Sequence, residues 1–163
     1  MKFTILFLVL GIFTFAEGQP ELTKQEKSKI AKALENTWAE SEAQLQYKQS
    51  IGMGINAIHI YNVLQATDTA GYAIVTAAIG RYDMFDYLVL YNTNKSVQNV
   101  TVLTYRSEHG SEITGKTWLA QFVGYAGEPI TYGQEIDAIS GATLSGKSMT
   151  ADIQRVTKIL QGL

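Results

Sequence analysis

The chain begins with a nearly unbroken apolar run. Phe3 to Phe15 is interrupted only by Thr4, Gly11 and Thr14; Lys2 precedes it, and the small residues Ala16 and Gly18 follow. A positive residue, a short apolar stretch and a small-x-small exit make up the pattern of a secretory leader, expected at residues 1–18. The run is shorter than the roughly 20 apolar residues that cross a bilayer, which weighs against a retained anchor. Polar and apolar positions then settle into a helical rhythm. Thr23-Lys-Gln-Glu26 is a capping box, in which hydroxyl and carboxylate satisfy each other's free amides. Behind it Ile30, Leu34, Trp38 and Leu45 recur on one face. The spacing predicts one amphipathic helix from about Lys24 to Lys48, within an N-terminal region of residues 19–50.

Gly52-Met-Gly54 ends that rhythm. Ile58 to Leu64, Tyr72 to Ala78, Tyr87 to Tyr91 and Val97 to Tyr105 are rich in β-branched and aromatic residues and read as strands. Turn clusters separate them: Ala66 to Gly71, Gly80 to Asp83 and Asn92 to Lys95. Such short connections favour antiparallel neighbours. A polar stretch from Arg106 to Gly115 precedes a short helix with Trp118, Leu119 and Phe122 inward. The chain then loops through Gly124 to Pro129 and ends in a helix whose apolar stripe is Ile153, Val156 and Leu160. The expected fold is α+β in a single domain at residues 51–163. It is a twisted antiparallel sheet with N-terminal and C-terminal helices packed against it, both on one side.

Composition narrows the chemistry. The chain has 163 residues, and removal of the leader leaves about 145, enough for one domain with its own core. It contains no cysteine, so disulfides, thiolate metal sites, cysteine nucleophiles and lipid acylation at the leader are excluded. The net charge is −2 with no basic run, which offers no electrostatic footprint for nucleic acid. His59 and His109 are the only histidines, and their separation matches no metal-ligand spacing. No nucleophile triad or proton-abstracting dyad is visible, so no catalytic residue is assigned.

The chemistry-bearing stretch is Asp137-Ala-Ile-Ser-Gly-Ala-Thr143, followed by Leu-Ser-Gly-Lys-Ser148. Gly141 to Ser148 spells G-x-x-x-x-G-K-[ST], the phosphate-binding loop of nucleotide hydrolases. That loop needs a buried parallel strand before it and a later strand carrying a magnesium-binding Asp. Here the preceding Tyr132-Gly-Gln-Glu-Ile-Asp137 is polar, and 15 residues remain after Ser148.

A second reading uses Asp137-x-x-Ser140-Gly141-Ala142-Thr143, which resembles the D-x-x-[ST]-G-A-T signature of the FMN-binding domain family. That family includes flavin-carrying domains of the C subunit of sodium-translocating NADH:quinone reductase and the G subunit of the Rnf complex. The resemblance covers roughly residues 55–160. It implies FMN as cofactor, joined by a phosphoester to Thr143 and installed from FAD by an ApbE-type flavin transferase with magnesium. Asp137 is then the signature acid, and Ser140, Gly141 and Ala142 form the tight approach. Leu144 and Ser145 complete the cofactor contacts. Glu108-His109-Gly110 lies where many members carry a Glu-Thr-Pro-Gly loop beside the flavin ring, with Glu108 kept and the next two residues changed.

The residues support an anion on their own terms. Gly141 permits close backbone approach, and the following helix offers free N–H groups and its positive dipole end. The plainer alternative makes Ser140, Thr143 or Ser145 an ordinary helix cap. Lys147 is either a phosphate partner or an exposed lysine. Asp137 orients the Thr143 hydroxyl, holds the transferase's metal, or forms an Asx turn. Trp118 and Tyr125 either cover the flavin ring or belong to the core. His109 is a candidate donor to the ring, whereas His59, alternating with apolar neighbours, reads as structural. The implied function is an exported electron carrier, periplasmic or extracellular, working between redox donor and acceptor proteins such as a membrane reductase complex. A secreted binding module and an FMN-dependent reductase of a small substrate are the alternatives.

Overall fold

A computed structural model describes residues 19–38 and 42–163; the expected leader at 1–18 lies outside them. Helix α1 (Lys24–Thr37) starts on the anticipated capping box, with Glu26 N donating to Thr23 Oγ1 at 3.2 Å and Thr23 N to Glu26 Oε2 at 2.8 Å. Five strands follow: β1 (Ala43–Ile51), β2 (Ile58–Gln65), β3 (Asp68–Ile79), β4 (Met84–Asn92) and β5 (Val97–Thr104). They pair antiparallel in chain order, so the sheet is a meander with β1 and β5 at its edges. The short helix α2 (Lys116–Leu119) and the long helix α3 (Thr143–Gln161) complete the α+β fold. Among the described residues no helix is long and apolar enough to cross a membrane.

Three expectations need correction. The N-terminal helix ends at Thr37, and the segment expected to continue it is strand β1. From Ala43 the exposure alternates residue by residue, the period of a strand. Leu45 fits a helical spacing from Trp38 only by coincidence of seven residues. Tyr47 instead faces Tyr61 across the strand pair, ring centroids 5.5 Å apart and edge-on. The turn expected over Ala66 to Gly71 is also tighter: β3 begins at Asp68, and Ala66 makes the turn with φ 54°.

The third correction concerns the layers. The helices do not share one side of the sheet. On one face Ile30, Ala33 and Leu34 of α1 pack on Val63, Leu88 and Leu90. On the other, Met149, Ile153, Val156 and Leu160 of α3 pack on Ile74, Tyr87, Val89 and Tyr91. The central strands carry the cause in their sequences. Tyr87-Leu-Val-Leu-Tyr91 and Ala73-Ile-Val are apolar at every position, which suits strands covered on both faces.

Polar contacts tie both helices to this sheet. Glu26 at the start of α1 accepts from Thr104 Oγ1 at 2.7 Å, at the end of β5. Tyr87 Oη donates to Asp152 of α3 at 2.6 Å, and Tyr91 Oη meets Thr157 Oγ1 at 3.0 Å. Ile79 N at the end of β3 donates to Ser148 Oγ at 3.0 Å. The N-terminus of α3 is thereby set where β3 and β5 end and β4 begins.

Glu26 gives a test of this frame. Burial raises its carboxyl pKa, but donors from Thr104 and Thr23 and the charge of Arg106 outweigh that, leaving the pKa below its ordinary value. A lowered folded-state pKa stabilises fully above the unfolded value of about 4.3, and the gain is lost as pH falls through the folded value. Glu26→Gln is expected to lower stability at neutral pH by about 1–2 kcal/mol. The gap to wild type should narrow below about pH 4, as chemical denaturation at the two pH values would measure.

Candidate functional site

The candidate site is built around the first turn of α3. Gly141 turns the chain into it with φ +84°, a left-handed conformation suited to glycine. Ala142 is the N-cap, buried, and no side chain caps the helix. Ser140, Thr143 and Ser145 therefore do not serve as the cap. Thr143 is the first helical residue and is exposed, as is its neighbour Leu144. The first intrahelical bond at this end runs from Gly146 N to Ala142 O at 2.8 Å. The amides before it form the usual orphan donors of a helix start, at the positive end of its dipole.

Ser145 takes a different role from its neighbours. It is 1% exposed, and its Oγ lies 3.0 Å from Tyr105 Oη. Tyr105 Oη also donates to the His109 carbonyl at 2.7 Å. A phenol has one proton and a carbonyl none, so Ser145 is the donor to Tyr105. This relay clamps the Glu108-His109-Gly110 loop onto α3. Gly110 is buried with φ +85°, and a Cβ there would lie 2.5 Å from Tyr105 Oη and 3.1 Å from Ser145 Oγ. The Gly80 turn closes in from the sheet side, 3.5 Å from Ser145 Oγ at its would-be Cβ. It brings Tyr82, 67% exposed, to 6.0 Å from the His109 ring. Glu108 and His109 are exposed on this rim.

The segment before α3 is fastened from below. Trp118 is buried, stands edge-on to Phe122 at 5.3 Å, and donates Nε1–H to Asp137 O at 2.8 Å. It reaches the motif through that bond from within the core. Tyr125 is likewise buried. Gln121 Oε1 accepts from Asp137 N at 2.9 Å. The Ile139 amide, which an Asx turn from Asp137 would use, goes to Tyr132 Oη at 2.8 Å. The Asp137 carboxylate is thus exposed and not spent on the backbone. Lys147 is exposed one helical turn after Thr143. His59 lies on β2 opposite Ser50 and Val75.

The phosphate-loop reading fails on geometry. Gly146 and Lys147 lie inside α3, and no sheet strand precedes Gly141 directly. Gly146 has another purpose: a Cβ there would sit 2.4 Å from the Tyr132 ring. The small residue lets Tyr132 pack on the helix and hold Ile139.

Four site residues escaped the sequence reading: Tyr105, Gln121, Tyr132 and Glu112. Glu112 presses its carboxylate on Gly141, with Oε1 at 2.7 Å from the position a Cβ would take. Tyr105 ends a strand-like run and Tyr132 sits in a polar loop, so neither carries a periodic signal. No group of three or more His, Cys, Asp or Glu residues among those described is arranged to hold a metal ion.

Against known families, residues 80–158 match the model of the FMN-binding domain. The match runs from the Gly80 turn through β4, β5, the clamped loop and the motif into α3. No curated protein matches the chain.

The Tyr105 relay predicts a particular energetic pattern. Tyr105→Phe leaves the buried Ser145 hydroxyl without its acceptor and should cost about 1–3 kcal/mol. Ser145→Ala in that background should recover part of the loss, because both partners are then apolar. Denaturant titrations of the two single variants and the double variant measure the coupling. Additive effects would contradict the relay.

Proposed function

We propose, starting from the match of residues 80–158 to the FMN-binding domain, that the chain is an exported flavin-binding electron carrier with FMN as cofactor, held covalently on Thr143. The observation that carries this reading is the first turn of α3. An exposed Thr143 begins the helix, a left-handed glycine precedes it, and no side chain takes the cap. This donor set fits a phosphate, which accepts N–H bonds and favours the positive helix end. Ser140, Gly141 and Ala142 shape the approach, and Leu144 supplies exposed apolar surface beside it.

Loading by an ApbE-type flavin transferase is a group transfer. The Thr143 oxygen would bond the flavin-side phosphorus of FAD as the pyrophosphate P–O bond breaks, with AMP leaving and the hydroxyl proton passing to a base or to solvent. Asp137, exposed and free of an Asx turn, is available to orient that hydroxyl or to meet the transferase's magnesium. FMN supplies the electron transfer, while this chain supplies attachment, orientation and electrostatic surroundings. The clamped loop sets Glu108, His109 and Gly110 around the same end. Trp118 acts indirectly, by holding Asp137. Export rests on the leader-like run of residues 2–18. It gives the covalent bond its purpose, since a dissociated flavin outside the cell is lost. The carrier's partners are redox donor and acceptor proteins, a membrane reductase complex among them.

Co-expression with a flavin transferase tests the linkage. Intact-mass measurement is expected to find a gain of one FMN less one water, and denatured protein should fluoresce as a flavin on a gel. Thr143→Val, at an exposed position, should fold and gain nothing. No gain by the wild type, or an equal gain by Thr143→Val, would refute covalent attachment at this residue.

A further inference from the structure

Strand β5 is an edge of the sheet, and its outer side forms the floor of a groove of about 470 Å³. Four consecutive strand residues, 99–102, line it. Helix α1 forms one wall and the α2 segment the other. Lys29 and Lys32 project from α1, and Lys116 from α2, and no acidic residue lines the groove. This positive groove lies on a chain whose net charge is −2.

Among the described residues, the outward side of this edge is hydrogen-bonded only at its ends. Val97 accepts from Gly124 N at 2.8 Å and donates to Tyr125 O at 2.9 Å. At the other end the Lys29 ammonium donates to the Val102 and Leu103 carbonyls, at 3.4 and 2.6 Å. Between these caps lies a window from Gln98 to Thr101, about 13 Å long at strand rise. A lysine on an edge also discourages uncontrolled pairing, and Lys29 does so here. Lys32 and Lys116 have no hydrogen-bond or ion-pair partner among the described residues, so that role does not account for them.

We infer that this groove docks an extended, acidic segment of a partner protein, which adds to β5 as a further strand. An added strand takes main-chain hydrogen bonds from the edge and points alternate side chains to opposite faces. A cation stands on each: Lys29 and Lys32 toward the α1 side, Lys116 toward the α2 side. Acidic residues at both parities of the incoming segment match that arrangement, and Lys29 can leave its carbonyls to meet one of them. The neighbouring site sets where the partner sits. β5 ends at Thr104, and the next residue, Tyr105, contacts Ser145 in the first turn of α3. A segment docked here lies along the strand that leads directly to the Thr143 end. The inference does not require flavin on Thr143, so its test stands apart from the flavinylation experiment.

The probe is a blocked peptide of about six residues rich in glutamate and valine, added to isotope-labelled full-chain protein. Binding should slow amide exchange within Gln98 to Thr101 and shift the resonances of Lys32 and Lys116. A peptide with lysine replacing glutamate should not bind. Lys32→Glu with Lys116→Glu should weaken binding by about tenfold, since each reversal replaces attraction with repulsion at an exposed rim. The double variant should still gain flavin mass as the wild type does. Unchanged exchange along β5 at saturating peptide, or equal binding by the double variant, overturns the proposal. So does full displacement of the peptide by glutarate alone, which would make the groove a small-anion site.

Discussion

Tyr87 and Tyr91 enter the α3 face of the sheet wholly buried, and each carries a hydroxyl into that interior. A buried hydroxyl without a partner costs about 1–3 kcal/mol, so the helix must bring hydrogen-bonding partners to two fixed points. Asp152 and Thr157 do this. Apolar packing alone tolerates sliding, whereas two hydrogen bonds spaced along a helix do not. Burial and the adjacent Asp152 charge push the Tyr87 phenol well above its ordinary pKa, so it remains a donor across the physiological range. With α3 held in this register, Ser148 meets the end of β3 and Ser145 meets Tyr105. The position of Thr143 is a consequence of contacts made two to four turns further along the helix.

The electrostatics of that end explain why the proposed covalent bond would suit it. A helix terminus contributes about 0.3–1 kcal/mol toward an anion, and micromolar retention requires about 8 kcal/mol. The rim offers exposed Leu144 and Tyr82. Glu112 adds a carboxylate against Gly141, a like charge that a phosphate must keep clear of. Weak attraction with a neighbouring negative charge orients a group and does not retain it. A bond to the Thr143 oxygen, as proposed, would remove retention from the non-covalent forces altogether.

Much of this was legible in the sequence where one short-range rule sufficed. The Thr23 to Glu26 box, the apolar stripe of α3 and the β-rich runs depend on neighbours a few residues apart. The signature from Asp137 to Thr143 was legible as a contiguous string. Leu45 misled because seven residues is close to two helical turns, while alternation over Ala43 to Ile51 carried the stronger signal. The two-sided sheet was written in the unbroken apolar character of β4, though which helix covers which face depends on the whole topology. The Tyr105 and Ser145 relay joins residues 40 apart in the chain, and Gly146 is small because of Tyr132. No periodicity encodes such pairs; they exist only once α3 has been fixed on the sheet.

The same topology decides where the domain begins. The family match starts at Gly80, and an expected boundary at residue 51 set the N-terminal segment apart from the domain. Neither boundary is a folding boundary. β1 ends at Ile51 and pairs with β2 along its length. β4 pairs with β3 over nine residue pairs, and its Leu88 and Leu90 are covered by α1. A fragment starting at Gly80 would expose one edge of β4 and the α1 face of the sheet, leaving only β5 as its partner. Such a fragment would lose the nine-pair β3 contact and the α1 cover of β4. Helix α1 is bound in turn to the end of β5 by Glu26 and Thr104. Residues 24–37 and 43–79 therefore belong to the unit that holds Thr143 in place, although they lie outside the stretch that carries the family's signature.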